Sequence, residues 1–338
     1  MVQRQQVALT QATQQFSAMI KFIKQLFEID KRPRKGLLAL EWVMLGYLAL
    51  TLLIVFFTYT KAANPNEMIW GRVRILAVTA GMWAVYRMLP CRLTLFLRIT
   101  VQMALLSWWY PDTYEINRML PNLDHLFARW EQDVFGCQPA LLFHEAAPWP
   151  VVSELMSLGY AAYYPMIIVV VLFYFLFRYK DYGRAAFVVT AAFFIYYLIY
   201  IVLPVTGPTF YYKAVGLGDI TAGVFPNVHD YFNYCQDCFA TPGYEDGVFY
   251  QLVESAKAAG ERPTAAFPSS HVGISTILMM LVWRTRNRRF FYIMLPLYVL
   301  LCLSTVYIQA HYAIDVLAGW ATGAALYFVL MWISKKVV

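Results

Sequence analysis

The sequence predicts an all-α polytopic membrane protein with about eight transmembrane helices. Three observations carry this prediction. Of 338 residues, 60% are hydrophobic and only 14% are charged, against roughly 25% charged in an ordinary soluble domain. The apolar residues gather into runs near the ~20 residues a helix needs to cross a bilayer. The basic residues flank those runs, so the net charge of +7 is a feature of span ends and implies no nucleic-acid partner. A soluble enzyme, a disordered chain and a disulfide scaffold are excluded by the same composition.

Taken in order, residues 1–35 come first. They carry charges throughout and show no small-residue cleavage site, so they are not a signal peptide. Phe16, Met19, Ile20, Ile23, Leu26 and Phe27 recur at helical spacing, with Lys21 and Lys24 between them. That pattern predicts an amphipathic helix on the membrane surface, with a plain solvated helix as the alternative. Apolar runs then predict spans at 36–59, 70–89, 92–109, 152–177, 185–203, 270–283, 290–308 and 316–333. Run 270–283 has 14 residues, about 21 Å of helix. Either it starts earlier, or His271 lies below the headgroup level. Glu41 and Arg98 lie inside these spans, and both are expected to snorkel from the cytoplasmic half.

Lys and Arg set the orientation. With the N-terminus in the cytoplasm, eighteen basic residues lie inside, including Arg178, Arg284, Arg286, Arg288 and Arg289. Eight lie outside: Lys61, Arg72, Arg74, Arg118, Arg129, Lys213, Lys257 and Arg262. The reverse orientation would invert this bias and is rejected. Two long segments, 110–151 and 204–269, then face outward. They contain no Asn-x-Ser/Thr sequon, which favours a bacterial inner membrane over a glycosylating lumen. Cys235 and Cys238 form a lone CxxC in the second segment. A structural zinc site needs four ligands, so the pair reads as a disulfide, with free thiols as the alternative.

Five histidines occur in the chain. Two stand at outer span ends in distinctive settings. One is Phe267-Pro268-Ser269-Ser270-His271-Val272-Gly273. Here Pro268 ends an extended stretch, and Ser269 or Ser270 caps the helix that follows. Two hydroxyls, an imidazole and the unpaired N–H groups of a helix start can cradle an anion. The other is Ser304-Thr305, then His311-Tyr312-Ala313-Ile314-Asp315. His311 and Asp315 are four apart, so on a helix they share a face. The carboxylate can orient the imidazole as in a catalytic triad. Each setting has a bland reading, a Pro-Ser cap with a chance His or an interfacial His beside a solvated Asp. Both, however, face one side of the membrane and are separated by a single helical hairpin.

The two motifs together resemble the type 2 phosphatidic acid phosphatase superfamily. Its second motif, Pro-Ser-Gly-His, is matched by Pro268-Ser269-Ser270-His271 with Ser270 in place of Gly. Its third, Ser-Arg-x5-His-x3-Asp, is matched by Ser304, His311 and Asp315 with Thr305 in place of Arg. The loss of that Arg is similar to the inositol phosphorylceramide synthase and sphingomyelin synthase branch, as is His311-Tyr312-x2-Asp315. The first motif, Lys-x6-Arg-Pro, has no match. Its place reads Gly207-Pro208-Thr209, with Thr209 where a basic residue is expected, while Lys257-x4-Arg262-Pro263 has the wrong spacing. The likeness covers roughly 185–333, and more loosely the chain from about Asn122. It implies a six-helix core at 92–338, preceded by a cytoplasmic segment at 1–35 and two additional helices at 36–91.

The resemblance implies phosphoryl transfer through a phosphohistidine, with no metal and no cofactor. His311 would be the nucleophile, held by Asp315. His271 would be the general acid and then the general base. Ser269 and Ser270 would bind non-bridging oxygens. Lys213 and Arg262 are the best substitutes for the missing basic positions, or else ordinary loop charges. Membrane lipids would be the substrates. Transfer of a phosphorylated headgroup between lipids is the leading reading, and hydrolysis of a lipid phosphate by water the second. A non-enzymatic lipid-binding or transport protein is the third.

Overall fold

The computed structural model describes residue 17 and residues 20–31 and 33–338. It is all helical, with no β-strand among the described residues. Phe16 and Met19 lie outside the described residues. Residues 20–27 are helical. There Ile20, Ile23 and Phe27 are exposed, and Leu26 packs on the core.

Each apolar run forms helix. Run 36–59 becomes α1 (Ala39–Phe57), and run 70–89 becomes α2 (Pro65–Met88) with its Pro at the first turn, where the missing N–H costs nothing. Run 92–109 is broken into α3 (Arg92–Ala104) and α4 (Leu106–Asn117). The outer segment folds into α5 (Asp124–Phe135) and α6 (Pro139–Ala146). Run 152–177 becomes α7 (Pro150–Ala161) and α8 (Tyr163–Phe177), bent by 47°. Next is α9 (Tyr179–Val202), the most buried span. The second outer segment holds α10 (Pro208–Val215), α11 (Leu217–Thr221) and α12 (Val248–Gly260). The chain ends with α13 (Ser270–Arg284), α14 (Arg288–Tyr307) and α15 (Ala313–Val337). Among the described residues, five helices are long and apolar enough to cross a membrane, or six with the bent pair. The chain is an integral membrane protein.

Helix α13 begins at Ser270 and not earlier. At about 22 Å it is shorter than a ~30 Å hydrocarbon core, which favours the recessed position for His271. It packs most extensively on α15, and three glycines allow this. A Cβ on Gly323 would lie 2.5 Å from the Gly273 carbonyl oxygen, and one on Gly319 2.7 Å from the Ser269 carbonyl oxygen. Small residues at such positions let two backbones touch without a polar or bulky spacer.

Two expectations about intramembrane charge need correction. Glu41 and Arg98 do not snorkel. Both are fully buried and paired, with Arg98 Nε 2.6 Å from Glu41 Oε1. Arg72, counted among the outer basic residues, is buried in a bidentate pair with Asp112, at 3.0 and 2.7 Å. The physical reason is the same in both. A buried charge is tolerated when a carboxylate and further hydrogen bonds meet it. The Thr51 hydroxyl and the Met68 carbonyl complete the shell of Arg72. These pairs tie α1 to α3 and α2 to α4.

Candidate active site

The site is assembled where α9, α13 and α15 begin or end on one side of the bundle. The loop after α9 passes beneath it. Asp124, the first residue of α5, is buried and gathers that loop. Its carboxylate accepts hydrogen bonds from the Thr206 amide (2.7 Å) and hydroxyl (2.9 Å), the Gly207 amide (2.8 Å), Asn122 Nδ2 (2.6 Å) and the Tyr312 hydroxyl (3.0 Å). Burial raises the Asp124 carboxyl, and the donors from Thr206, Asn122 and Gly207 oppose that shift. Gly207 has φ +92°, and a Cβ there would meet the Ala310 carbonyl oxygen at 2.7 Å, so only glycine serves.

The chain then reaches Ala265, with φ +71°, and on the facing loop Gln309, with φ +63°. A side-chain-bearing residue in this region stores strain of order 1–3 kcal/mol, which surrounding structure must hold. Here the holding bonds are visible. Ala266 N–H donates to Val205 O (2.9 Å), Thr209 N–H to Gln309 O (2.9 Å), and His311 N–H to Thr305 O (3.0 Å). The result presents the Ala266 carbonyl to His311.

His311 Nδ1 lies 2.8 Å from that carbonyl. A carbonyl can only accept, so Nδ1 carries the hydrogen and Nε2 keeps its lone pair. Nε2 faces His271 Nδ1 at 3.3 Å. His311 is buried. Burial lowers its pKa to about 4, against the Ala266 hydrogen bond and the charge of Glu261. At neutral pH it is therefore an uncharged imidazole. Asp315 stands second to Ala266, with Oδ2 3.5 Å from Nδ1. The same oxygen accepts the Tyr312 N–H at 2.8 Å, closing the first turn of α15.

His271 is the second residue of α13. Its ring stacks on Tyr160 (centroids 4.8 Å) and lies against Tyr163 (4.4 Å), both from the bent α7–α8 pair. Ser269 is the N-cap, and its hydroxyl accepts the Val272 N–H at 3.4 Å. Its own N–H donates to the Asp315 carbonyl oxygen at 3.1 Å. The Ser270 N–H donates to the Tyr200 hydroxyl (3.0 Å), which in turn donates to Pro268 O (3.0 Å). Much of the expected anion cradle is thus engaged inside the protein.

The structure brings Ser269, Ser270, His271, His311 and Asp315 together. It does not bring Lys213 or Arg262 into hydrogen-bond contact with either histidine. Lys213 is exposed, with Nζ 5.1 Å from the Phe239 ring centre. Arg262 is exposed just after α12. The two threonines at the missing basic positions are buried and occupied. The Thr209 hydroxyl donates to Phe239 O and the Thr305 hydroxyl to Cys302 O. Cys235 and Cys238 are free thiols, not a disulfide. Cys235 faces Tyr231, and Cys238 faces Thr209. Among the described residues, no group of three or more His, Cys, Asp or Glu side chains is placed to hold a metal ion.

Sequence reasoning missed several residues that shape the site. Asp124 is one. Glu131 is another, accepting the Ala313 and Ile314 N–H groups at 3.0 Å each and so capping α15 from α5. Burial raises its pKa to about 7. Glu261 is a third. Its carboxyl is raised by burial, lies near enough to feel His311, and leaves Oε2 without a partner. The Ala266 carbonyl, being backbone, leaves no trace in residue type. Asp124 and Glu131 could have been suspected only as acidic residues, one opening an amphipathic helix and one within it.

The family model of the PAP2 superfamily, the type 2 phosphatidic acid phosphatases, matches residues 125–329. Searches of curated proteins and of solved structures return no significant match. The matched region is more than half of the chain and contains His271, His311 and Asp315, so this protein belongs to the PAP2 superfamily.

Proposed function

We propose that this protein is a membrane lipid phosphotransferase that moves a phosphorylated headgroup from one lipid to the hydroxyl of another, as in the inositol phosphorylceramide synthase-like branch. Superfamily members are generally phosphatases or phosphotransferases. The carrying observation is the His311–His271 pair, with Nε2 fixed as a lone pair 3.3 Å from the second imidazole. His311 Nε2 attacks phosphorus, forming an N–P bond as the P–O bond to the donor lipid breaks. His271 gives its proton to the departing oxygen. The acceptor hydroxyl then returns a proton to His271 and attacks phosphorus, and the N–P bond breaks. No metal or cofactor is required by these steps. Tyr160 and Tyr163 cover the His271 ring with aromatic surface, which supports a lipid alcohol over water as acceptor. Ser270 and the start of α13 are the nearest candidates to hold non-bridging oxygens. Charge bias supports a cytoplasmic N-terminus and a site on the opposite, periplasmic face.

The test uses purified protein, a headgroup-labelled phospholipid and a candidate lipid alcohol, with and without excess chelator. Labelled headgroup on the alcohol is the expected product in both. Free phosphate or free phosphorylated headgroup, without transfer, would show hydrolysis instead. His311→Ala should abolish turnover and the acid-labile phosphoenzyme. His271→Ala should lower the rate by about 10²–10⁴. Wild-type-like turnover by His311→Ala would defeat both enzymatic readings, and loss on chelation with recovery on adding metal would defeat this mechanism.

A further inference from the structure

At the other end of α13, away from the histidines, lies a cavity of about 710 Å³. Four arginines line it: Arg178 from the α8–α9 junction, Arg284 at the end of α13, Arg286 in the following turn and Arg288 opening α14. Their one lining carboxylate, Asp181, is paired with Arg184 at 2.8 Å. Among the described residues no ion pair forms to Arg284, Arg286 or Arg288. Arg178 donates to the Thr285 carbonyl oxygen at 2.7 Å, which ties the α8–α9 junction to the α13–α14 turn across the cavity. Four arginines turned toward one space, with a single lining carboxylate already paired elsewhere, repel one another. A bound anion removes that repulsion.

The walls say which anion. Trp283, 61% exposed, and Phe291 line the cavity beside the arginines. Aromatic and basic residues mix in this way at the headgroup level of a bilayer. The neighbouring surface is apolar: Phe177 is 70% exposed and Ile293 68% exposed. A phosphate group in the cavity would leave its acyl chains lying on those side chains. Arginine suits a phosphate because its planar fork presents parallel donors.

We propose that this cavity is a second lipid site, which binds the phosphate of an anionic phospholipid at the opposite membrane face from the histidine pair. Its occupant is not the reacting lipid, because α13 holds the two sites about 20 Å apart. The proposal does not depend on the reaction assigned to the histidines. Occupancy would brace the ends of α8, α9, α13 and α14 against one another.

The test follows the thermal unfolding midpoint of full-length protein in non-ionic detergent, titrated with three probes. These are dioctanoyl phosphatidylglycerol, dioctanoyl phosphatidylcholine and sodium phosphate. Phosphatidylglycerol should raise the midpoint saturably, and phosphatidylcholine should not at the same concentration. Arg286→Gln with Arg288→Gln should weaken the apparent affinity about tenfold or more. His311→Ala, which removes turnover, should respond as the wild type does. An unchanged response in the double variant would overturn the proposal. So would an equal response to phosphatidylcholine, or loss of the response in His311→Ala, which would place binding at the histidines. A response to sodium phosphate as large as that to phosphatidylglycerol would overturn the lipid assignment and leave a soluble-anion site. If the double variant does not accumulate, Arg288→Gln alone serves, with about threefold weaker binding expected and unchanged affinity counting against the cavity.

Discussion

At the residue scale, His311 combines a neutral ring with a fixed tautomer, and each property has a separate cause. Neutrality comes from burial, which lowers its pKa to about 4. The tautomer comes from the Ala266 carbonyl at 2.8 Å. A pH prediction follows. A solvated histidine nucleophile would lose activity below its ordinary pKa of ~6.5. In this protein the acid limb assigned to His311 should lie well below 6.5, and a pH–rate profile checks it. The same burial makes folding pH-dependent with a definite sign. Between about 6.5 and 4 the unfolded chain takes up a proton that the folded one refuses, so this contribution to stability is complete above ~6.5 and lost as pH falls toward 4. The role of Asp315 is also narrowed. A triad carboxylate that alone orients its histidine is worth ~10⁴ in rate. Here Asp315 is the second partner at 3.5 Å. Asp315→Asn should therefore cost about a hundredfold, leaving the phosphoenzyme detectable. A loss equal to that of His311→Ala would show that Ala266 does not hold the ring.

At the element scale, the two histidines meet because α13 and α15 touch. Gly273, Gly319 and Gly323 remove the side chains that would hold these helices apart. A Cβ on Gly323, 2.5 Å from a backbone oxygen, cannot be absorbed by a rotamer change. Gly323→Val should cost about 1–3 kcal/mol or shift α13 away from α15. Turnover should fall with the shift, although residue 323 lies three turns from His311 along α15. Thermal unfolding and the transfer assay, run on the same preparation, check this. Normal activity with a normal midpoint would mean the close packing is dispensable. The element scale also shows how far the opening helices are integrated. Arg72–Asp112 and Arg98–Glu41 are buried pairs, so removing one partner leaves an uncompensated charge.

At the scale of the whole molecule, one end of the bundle holds the histidines and the other the arginine cavity. On the proposed topology the histidines face away from the cytoplasm, and the charge bias behind that proposal sharpens once Arg72, buried against Asp112, is removed from the outer count. An impermeant thiol reagent tests the arrangement on single cysteines at Val248 and Arg289, both exposed, in a background with Cys137, Cys235 and Cys238 replaced by Ala. In intact cells Val248→Cys should label and Arg289→Cys should not. The opposite pattern would invert the topology.

The sequence by itself determined the all-helical class, which apolar stretches fold as helix and the identity of the paired histidine motifs. Those depend on residue type and spacing along a single segment, through hydropathy and helical period. It could not determine which charges pair, or what the residues outside the motifs do. Arg72, Arg98 and Glu41 read as charges seeking water, because their partners lie 40 and 57 positions away in the chain. Run 92–109 read as one span, and its break into α3 and α4 is visible only in the fold. Lys213 and Arg262 were chosen for charge alone, yet neither touches the histidines. Asp124 and Glu131 carried no motif, yet one gathers the Gly207 loop and the other caps α15. Only the tertiary structure decided these points, because partners distant in sequence decide whether a charge is paired, solvated or free to meet a substrate.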